Sequence, residues 1–171
     1  MQKESAYMFK IGEYVVYGNK GVCTVKDITT VDLPGAAEAK EYYILQPVED
    51  QGATVYLPVN SQKAVIRRVI TRDEAKQLMD DIPNIKELQI PDEKKREVHY
   101  KEAMKTCDCR VWVSIIKTLY TRRKVRIEMG KKVTALDEKY LRAAEHELFD
   151  ELSIALDVSH EEMRAYMEEN I

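Results

Sequence analysis

The chain has 171 residues, 44% hydrophobic and 33% charged, with a formal net charge of −3, so it has apolar content for one large core or two small ones. No apolar run approaches the ~20 residues that span a bilayer, and the opening MQKESAYMFK lacks the apolar stretch of a secretory signal, which points to a cytoplasmic globular protein. Three cysteines (Cys23, Cys107, Cys109) are an odd number and supply no disulfide framework.

The small net charge conceals an asymmetry. Residues 94–132 carry 13 Lys/Arg against 4 Asp/Glu, whereas residues 133–171 carry 3 against 11. A block of net +9 calls for an anionic partner, or for pairing with the −8 block that follows it.

From the N-terminal end, YVVYG and GVCTV bracket an Asn19-Lys20-Gly21 turn, and Gly21 can take the positive φ of a tight hairpin. DLPGAAEAK is a turn-rich loop. EYYILQPV and ATVYLPV make a second β pair around Glu49-Asp50-Gln51-Gly52, and AVIRRVI adds a further short strand. Five short strands with glycine turns predict a small antiparallel β-barrel of SH3 or Tudor type. Thr71-Arg72-Asp73-Glu74 has capping-box spacing and opens a helix, and residues 81–91, with two prolines and little periodicity, read as a linker.

Beyond residue 92 the pattern is helical. Asp92 is placed to cap a helix over about 93–107, a second helix runs from about 109 to 129 and ends near Gly130, and Thr134 opens a third to about 156. Leu141, Ala144, Leu148, Leu152 and Ala155 form the apolar stripe of that third helix, and Ser159 with Glu162 is a capping box for a short last one. The expected architecture is α+β: residues 1–70 a β-barrel domain, 71–91 a short helix and linker, and 92–171 an all-α domain of about four helices.

MFKIGEYVVYGNKGVCTV, then KEYYILQPV, then ATVYLPV resembles the N-terminal module of the CarD/CdnL family of bacterial transcription regulators, a module type shared with the transcription-repair coupling factor. HYKEAMKTCDCRVWVSIIKTLYTRRK followed by TALDEKYLRAAEHELFDEL is similar to the helical half of that family. The resemblance implies that the Tudor-like domain docks on the β subunit of bacterial RNA polymerase. It also implies that the helical domain contacts promoter DNA at the upstream edge of the melted region, and that together they stabilise the open complex.

Polymerase-facing candidates fall near residues 41–58: Tyr43, Thr54, Tyr56 and Pro58. Alternation in ATVYLPV turns Val55 and Leu57 inward and Thr54 and Tyr56 outward, and an outward Tyr is either a contact residue or a surface cover of the barrel. The family often has Arg where this chain has Tyr56, and a basic residue near Val31. A sheet edge also offers backbone groups to a partner strand whatever its side chains.

The DNA-facing candidates are Lys94, Lys95, Arg96 and Lys101 at the start of the helical half, and Arg122, Arg123 and Lys124 in a second basic cluster that continues through Arg126, Lys131 and Lys132. Contacts to phosphates need cations of this kind and little else, so binding is expected to be backbone-directed and not sequence-specific. Many family members carry a Trp wedge at the position of Arg96; a guanidinium can enter a narrow minor groove but supplies no comparable apolar wedge. The single Trp112 sits among Ile115, Ile116 and Leu119 at helical spacing and is assigned to the core.

Catalytic and metal chemistry find little support. Cys107 and Cys109 with His99 lack the C-x₂₋₄-C pairing of structural zinc, and His146 and His160 belong to no triad pattern. No phosphate-cradling Gly-rich loop or nucleophile elbow is present. The expected protein is a non-enzymatic transcription regulator without cofactor, metal or small-molecule substrate. The alternative is a polymerase-binding adaptor whose helical half engages another protein, with the +9 and −8 blocks closed on each other.

Overall fold

The structure, a computed structural model, describes residues 7–171 apart from Asn19, Leu33 and Ala36. The opening decapeptide up to Ala6, the first residue of the expected Asn19-Lys20-Gly21 turn, and two positions of the DLPGAAEAK loop therefore lie outside the described residues. The chain divides into two compact units, Met1–Val69 and Ile70–Ile171.

The first unit is a five-stranded antiparallel sheet of β1 (Tyr14–Tyr17), β2 (Gly21–Val31), β3 (Lys40–Pro47), β4 (Val55–Pro58) and β5 (Ile66–Arg68), in the order β4-β3-β2-β1-β5. Gly21 has φ +67°, and the amide of Lys20 donates to the carbonyl of Tyr17 at 2.8 Å, as a tight hairpin requires. β2 runs on past GVCTV because Ile28, Thr29, Thr30 and Val31 continue a β-branched run, and a bulge at Val25/Asp27 bends it. Phe9, Val15, Cys23, Val25, Tyr43, Leu45 and Leu57 form the core of this unit.

The expected barrel is not closed. β4 and β5, with four and three residues, are the two edges of the sheet and do not pair with each other. At the β4 edge, Pro58 lacks the N–H with which the end of that strand would extend a further ladder.

The second unit holds α1 (Arg72–Asp81), α2 (Arg96–Lys105), α3 (Cys109–Glu128), α4 (Ala135–Leu156) and α5 (His160–Asn170). Its helix count is five, because α1 belongs to this unit. None of these helices is long and apolar enough to cross a membrane. Thr71 and Ser159 form the capping boxes expected of them, and Thr134 accepts from the amide of Asp137. Asp92 caps a 3₁₀ turn over Glu93–Lys95, from which α2 starts at Arg96. α3 ends in a Schellman arrangement: Gly130, at φ +72°, donates to Ile127 and Lys131 donates to Arg126.

α3 is the central element, with Trp112, Val113, Ile115, Ile116 and Leu119 all at most 1% exposed. Leu141, Ala144, Leu148 and Leu152 of α4 are buried against the core, while Ala155 is half-buried. The stretch 81–91, expected as a linker, is held along α3. The Lys117 ammonium donates to the carbonyl of Ile85 at 2.7 Å, and the amide of Leu88 donates to the Thr118 hydroxyl at 2.9 Å. Glu87 accepts from the Thr121 hydroxyl.

Candidate interaction surfaces

In the sheet unit, the register of β3 against β4 decides which side chains face outward. Tyr43 lies opposite Leu57 and Leu45 opposite Val55; these point inward, with Tyr43 at 2% and Leu45 at 0% exposure. Ile44 lies opposite Tyr56 and Tyr42 opposite Pro58, on the outer side. Tyr56 is 58% exposed, Pro58 and Thr54 are exposed, and Tyr42 and Ile44 are half-buried. The outer row therefore joins aromatic, aliphatic and proline side chains at the free edge of the sheet, where a partner strand could also pair.

Tyr43 is corrected from a contact residue to a core residue. Its hydroxyl accepts from the amides of Met8 (3.1 Å) and Phe9 (3.4 Å), and its ring meets Phe9 edge-on at 5.6 Å. In EYYILQP both alternating sets are apolar, so the sequence did not distinguish Tyr42 from Tyr43; the pairing with Leu57 does. Tyr42 and Ile44 are the outward residues that the sequence reading missed.

In the helical unit the candidate cations separate into two groups. Asp137, 2% exposed, lies in the first turn of α4. Arg96 Nε reaches its Oδ1 at 3.1 Å, Arg122 Nε reaches its Oδ2 at 2.9 Å, and the Tyr100 hydroxyl donates to Oδ1 at 3.1 Å. Arg122 also grips Glu93 at 2.6 Å. Burial alone would raise the Asp137 carboxyl, but the bonds from Arg122 and Arg96 outweigh it and hold the group below the usual carboxylate range. The same burial, reinforced by the Asp137 charge, pushes Tyr100 up to about 12.

Arg96 and Arg122, expected to face DNA, are partners of a buried charge, each with about a fifth of its side chain exposed (20% and 22%). Sequence spacing offered no signal for this, because Asp137 approaches from a different helix.

The remaining candidates do face solvent. Lys94, Lys95 and Lys124 are exposed, as are Lys131 and Lys132. Lys101 is exposed too, and pairs with Glu97 at 3.4 Å one turn away. Arg123 is half-buried, its guanidinium 4.6 Å from the centre of the Tyr120 ring. Arg126 Nε bonds the carbonyl of Lys132 at 2.6 Å, which brings Lys132 alongside the end of α3. Val125, Ile127 and Met129 at that end are 48%, 61% and 62% exposed.

Of the residues weighed for metal or catalytic chemistry, Cys107 and Cys109 are buried, whereas His146 is exposed and His160 half-buried. Cys107 sits at φ +55° between α2 and α3, and Cys109 opens α3 with its thiol 3.1 Å from Glu151 Oε1. His146 and His160 both reach Asp150, at 3.3 and 2.8 Å; the i,i+4 spacing of His146 and Asp150 is legible in sequence, the approach of His160 is not.

Residues 9–70, the span of the sheet with its free β4 edge, match the family model described as CarD-like/TRCF RID domain. The sheet unit is a CarD-like domain. The match ends where the helical unit begins. A comparison with curated proteins finds no match.

Proposed function

We propose that this CarD-like protein is a non-enzymatic transcription regulator that docks on the β subunit of bacterial RNA polymerase through the β4 edge and its outer row, Tyr42, Ile44, Tyr56 and Pro58. The observation that carries the reading is the match of residues 9–70 to a domain type named for interaction with RNA polymerase. The exposed edge and an apolar row on it supply the physical means: backbone pairing gives affinity and the side chains give selectivity.

The helical unit contacts promoter DNA through Lys94, Lys95, Lys101, Lys124, Lys131 and Lys132, with Arg123 contributing from the face of Tyr120. Such contacts are to phosphates, so duplex affinity without polymerase is weak and salt-sensitive. Binding the open complex better than the closed one shifts the equilibrium toward melting. The test is in vitro transcription with the cognate polymerase, comparing wild type, Tyr56→Ala and Lys94→Glu/Lys95→Glu. Loss of polymerase association in the first and a shortened open-complex lifetime in the second are expected. Tight grip of one duplex sequence without polymerase contradicts the mechanism.

The second reading, an adaptor whose helical unit binds another protein, is favoured by the exposed Val125, Ile127 and Met129 and by the internal pairing of Arg96 and Arg122. It wins if Lys94→Glu/Lys95→Glu leaves the open-complex lifetime unchanged while polymerase binding persists.

A further inference from the structure

Three arginines from three helices, Arg123 of α3, Arg142 of α4 and Arg164 of α5, line one cavity of about 260 Å³ in the helical unit. Val133 and Leu141 are its apolar lining, and Glu138 and Glu145 its carboxylates. The two carboxylates are not equivalent. Glu145 is 8% exposed, and both its oxygens are already engaged: the Tyr120 hydroxyl donates to Oε1 at 2.9 Å and Arg164 donates to Oε2 at 3.2 Å. Glu138 is exposed at the first turn of α4, where solvent screens it.

Two of the arginines are held in place before any ligand arrives. Arg164 is fixed by Glu145 and lies 5.8 Å from the centre of the Phe149 ring. Arg123 lies over the Tyr120 ring at 4.6 Å, and Tyr120 is itself pinned by Glu145. Arg142 is exposed and makes no ion pair among the described residues. With Glu145 satisfied inside the fold, the cavity keeps a surplus of positive charge on planar forks. That is the donor geometry that matches phosphate bidentately.

We infer that the Arg123–Arg142–Arg164 cavity is a binding site for a single phosphate group. Its volume of about 260 Å³ falls below the ~300–1,000 Å³ of sites for drug-sized ligands, so it suits a phosphoryl group and not a whole nucleotide. The group comes either from a small phosphoester or from a nucleic-acid backbone; the chemistry of recognition is the same. The site does not depend on polymerase docking, and its test needs no polymerase.

The full chain is titrated with inorganic phosphate, followed by NMR shifts of the arginine side chains, against chloride at matched ionic strength. Saturable phosphate binding is expected, weakened about tenfold in Arg142→Gln by loss of one charge-assisted contact. Arg142→Gln removes an exposed side chain and leaves the Glu145 bonds intact, so a folding defect does not confuse the result; a circular dichroism melt verifies this. Displacement of phosphate by a short duplex identifies the backbone as the source. Retention of phosphate in the presence of duplex identifies a free phosphoester. Absence of saturable binding, or binding equal in wild type and Arg142→Gln, overturns the proposal.

Discussion

Arg96 and Asp137 are 41 positions apart in the chain and 3.1 Å apart in the fold. Asp137 is taken out of water at the first turn of α4, and it keeps its charge there because Arg96, Arg122 and Tyr100 converge on it from α2 and α3. Three helices are thereby fastened at one carboxylate. Removing one partner of such a group costs far more than removing a surface ion pair, since the remaining charges stay desolvated.

Asp137→Asn is accordingly expected to destabilise the protein by about 3 kcal/mol in urea unfolding at pH 7, near the lower end for a buried pair because both arginines retain some solvent. The folded carboxyl titrates below its unfolded value, so this contribution is fully present above about pH 4 and drains as pH falls through the lower folded value. The stability gap between wild type and Asp137→Asn should therefore hold constant from pH 7 down to about 4 and narrow below it. A gap unchanged into strong acid would show that the charge is not what Asp137 contributes.

Tyr100 contributes to the alkaline side, as does the buried Tyr120, whose hydroxyl burial and the Glu145 charge also push up. The Tyr100 hydroxyl is pushed up to about 12, against ~10 in the unfolded chain. A raised value means that the protonated form is favoured by folding: the stability is whole below ~10 and is lost as pH rises from there toward the folded value. Tyr100→Phe cannot ionise, so its unfolding free energy should fall less steeply than that of wild type between pH 10 and 12, measured by denaturant titration at each pH.

Neighbouring tyrosines on β3 and β4 should behave in opposite ways. Tyr43→Ala empties a core position and is expected to cost about 3–5 kcal/mol. Tyr56→Ala, at 58% exposure, should stay within about 0.5 kcal/mol of wild type and instead weaken association with polymerase. Calorimetric melts paired with a polymerase pull-down separate the two. Undiminished association in Tyr56→Ala places the docking contacts off this row.

Exposed lysines predict a salt signature. Lys94→Ala and Lys131→Ala should each lower the slope of log affinity against log salt by about 1 if each side chain meets one phosphate in the polymerase–promoter complex. Arg122→Ala, in contrast, should lose thermal stability first, because Asp137 and Glu93 depend on it.

Helix starts, the Gly21 hairpin, the burial of Trp112 and the apolar stripe of α4 were legible in the chain because each rests on residues within one or two turns of one another. The sheet was legible as antiparallel strands, but its closure was not, since closure depends on where two edge strands consecutive in the chain end up in space. The strap at 85–91 looked like a linker because its bonds run to Lys117 and Thr118, some thirty positions later.

By itself, then, the sequence determined the local elements, the CarD-like character of residues 9–70 and the concentration of positive charge in residues 94–132. Tertiary structure alone decided how that charge is used. Arg96 and Lys94 are equivalent as cations in a sequence, but only Arg96 lies within hydrogen-bond reach of a carboxylate brought in by another helix. Register made the same kind of decision between Tyr42 and Tyr43. In both cases the deciding partner is distant in sequence, and local periodicity carries no information about where a distant group will stand.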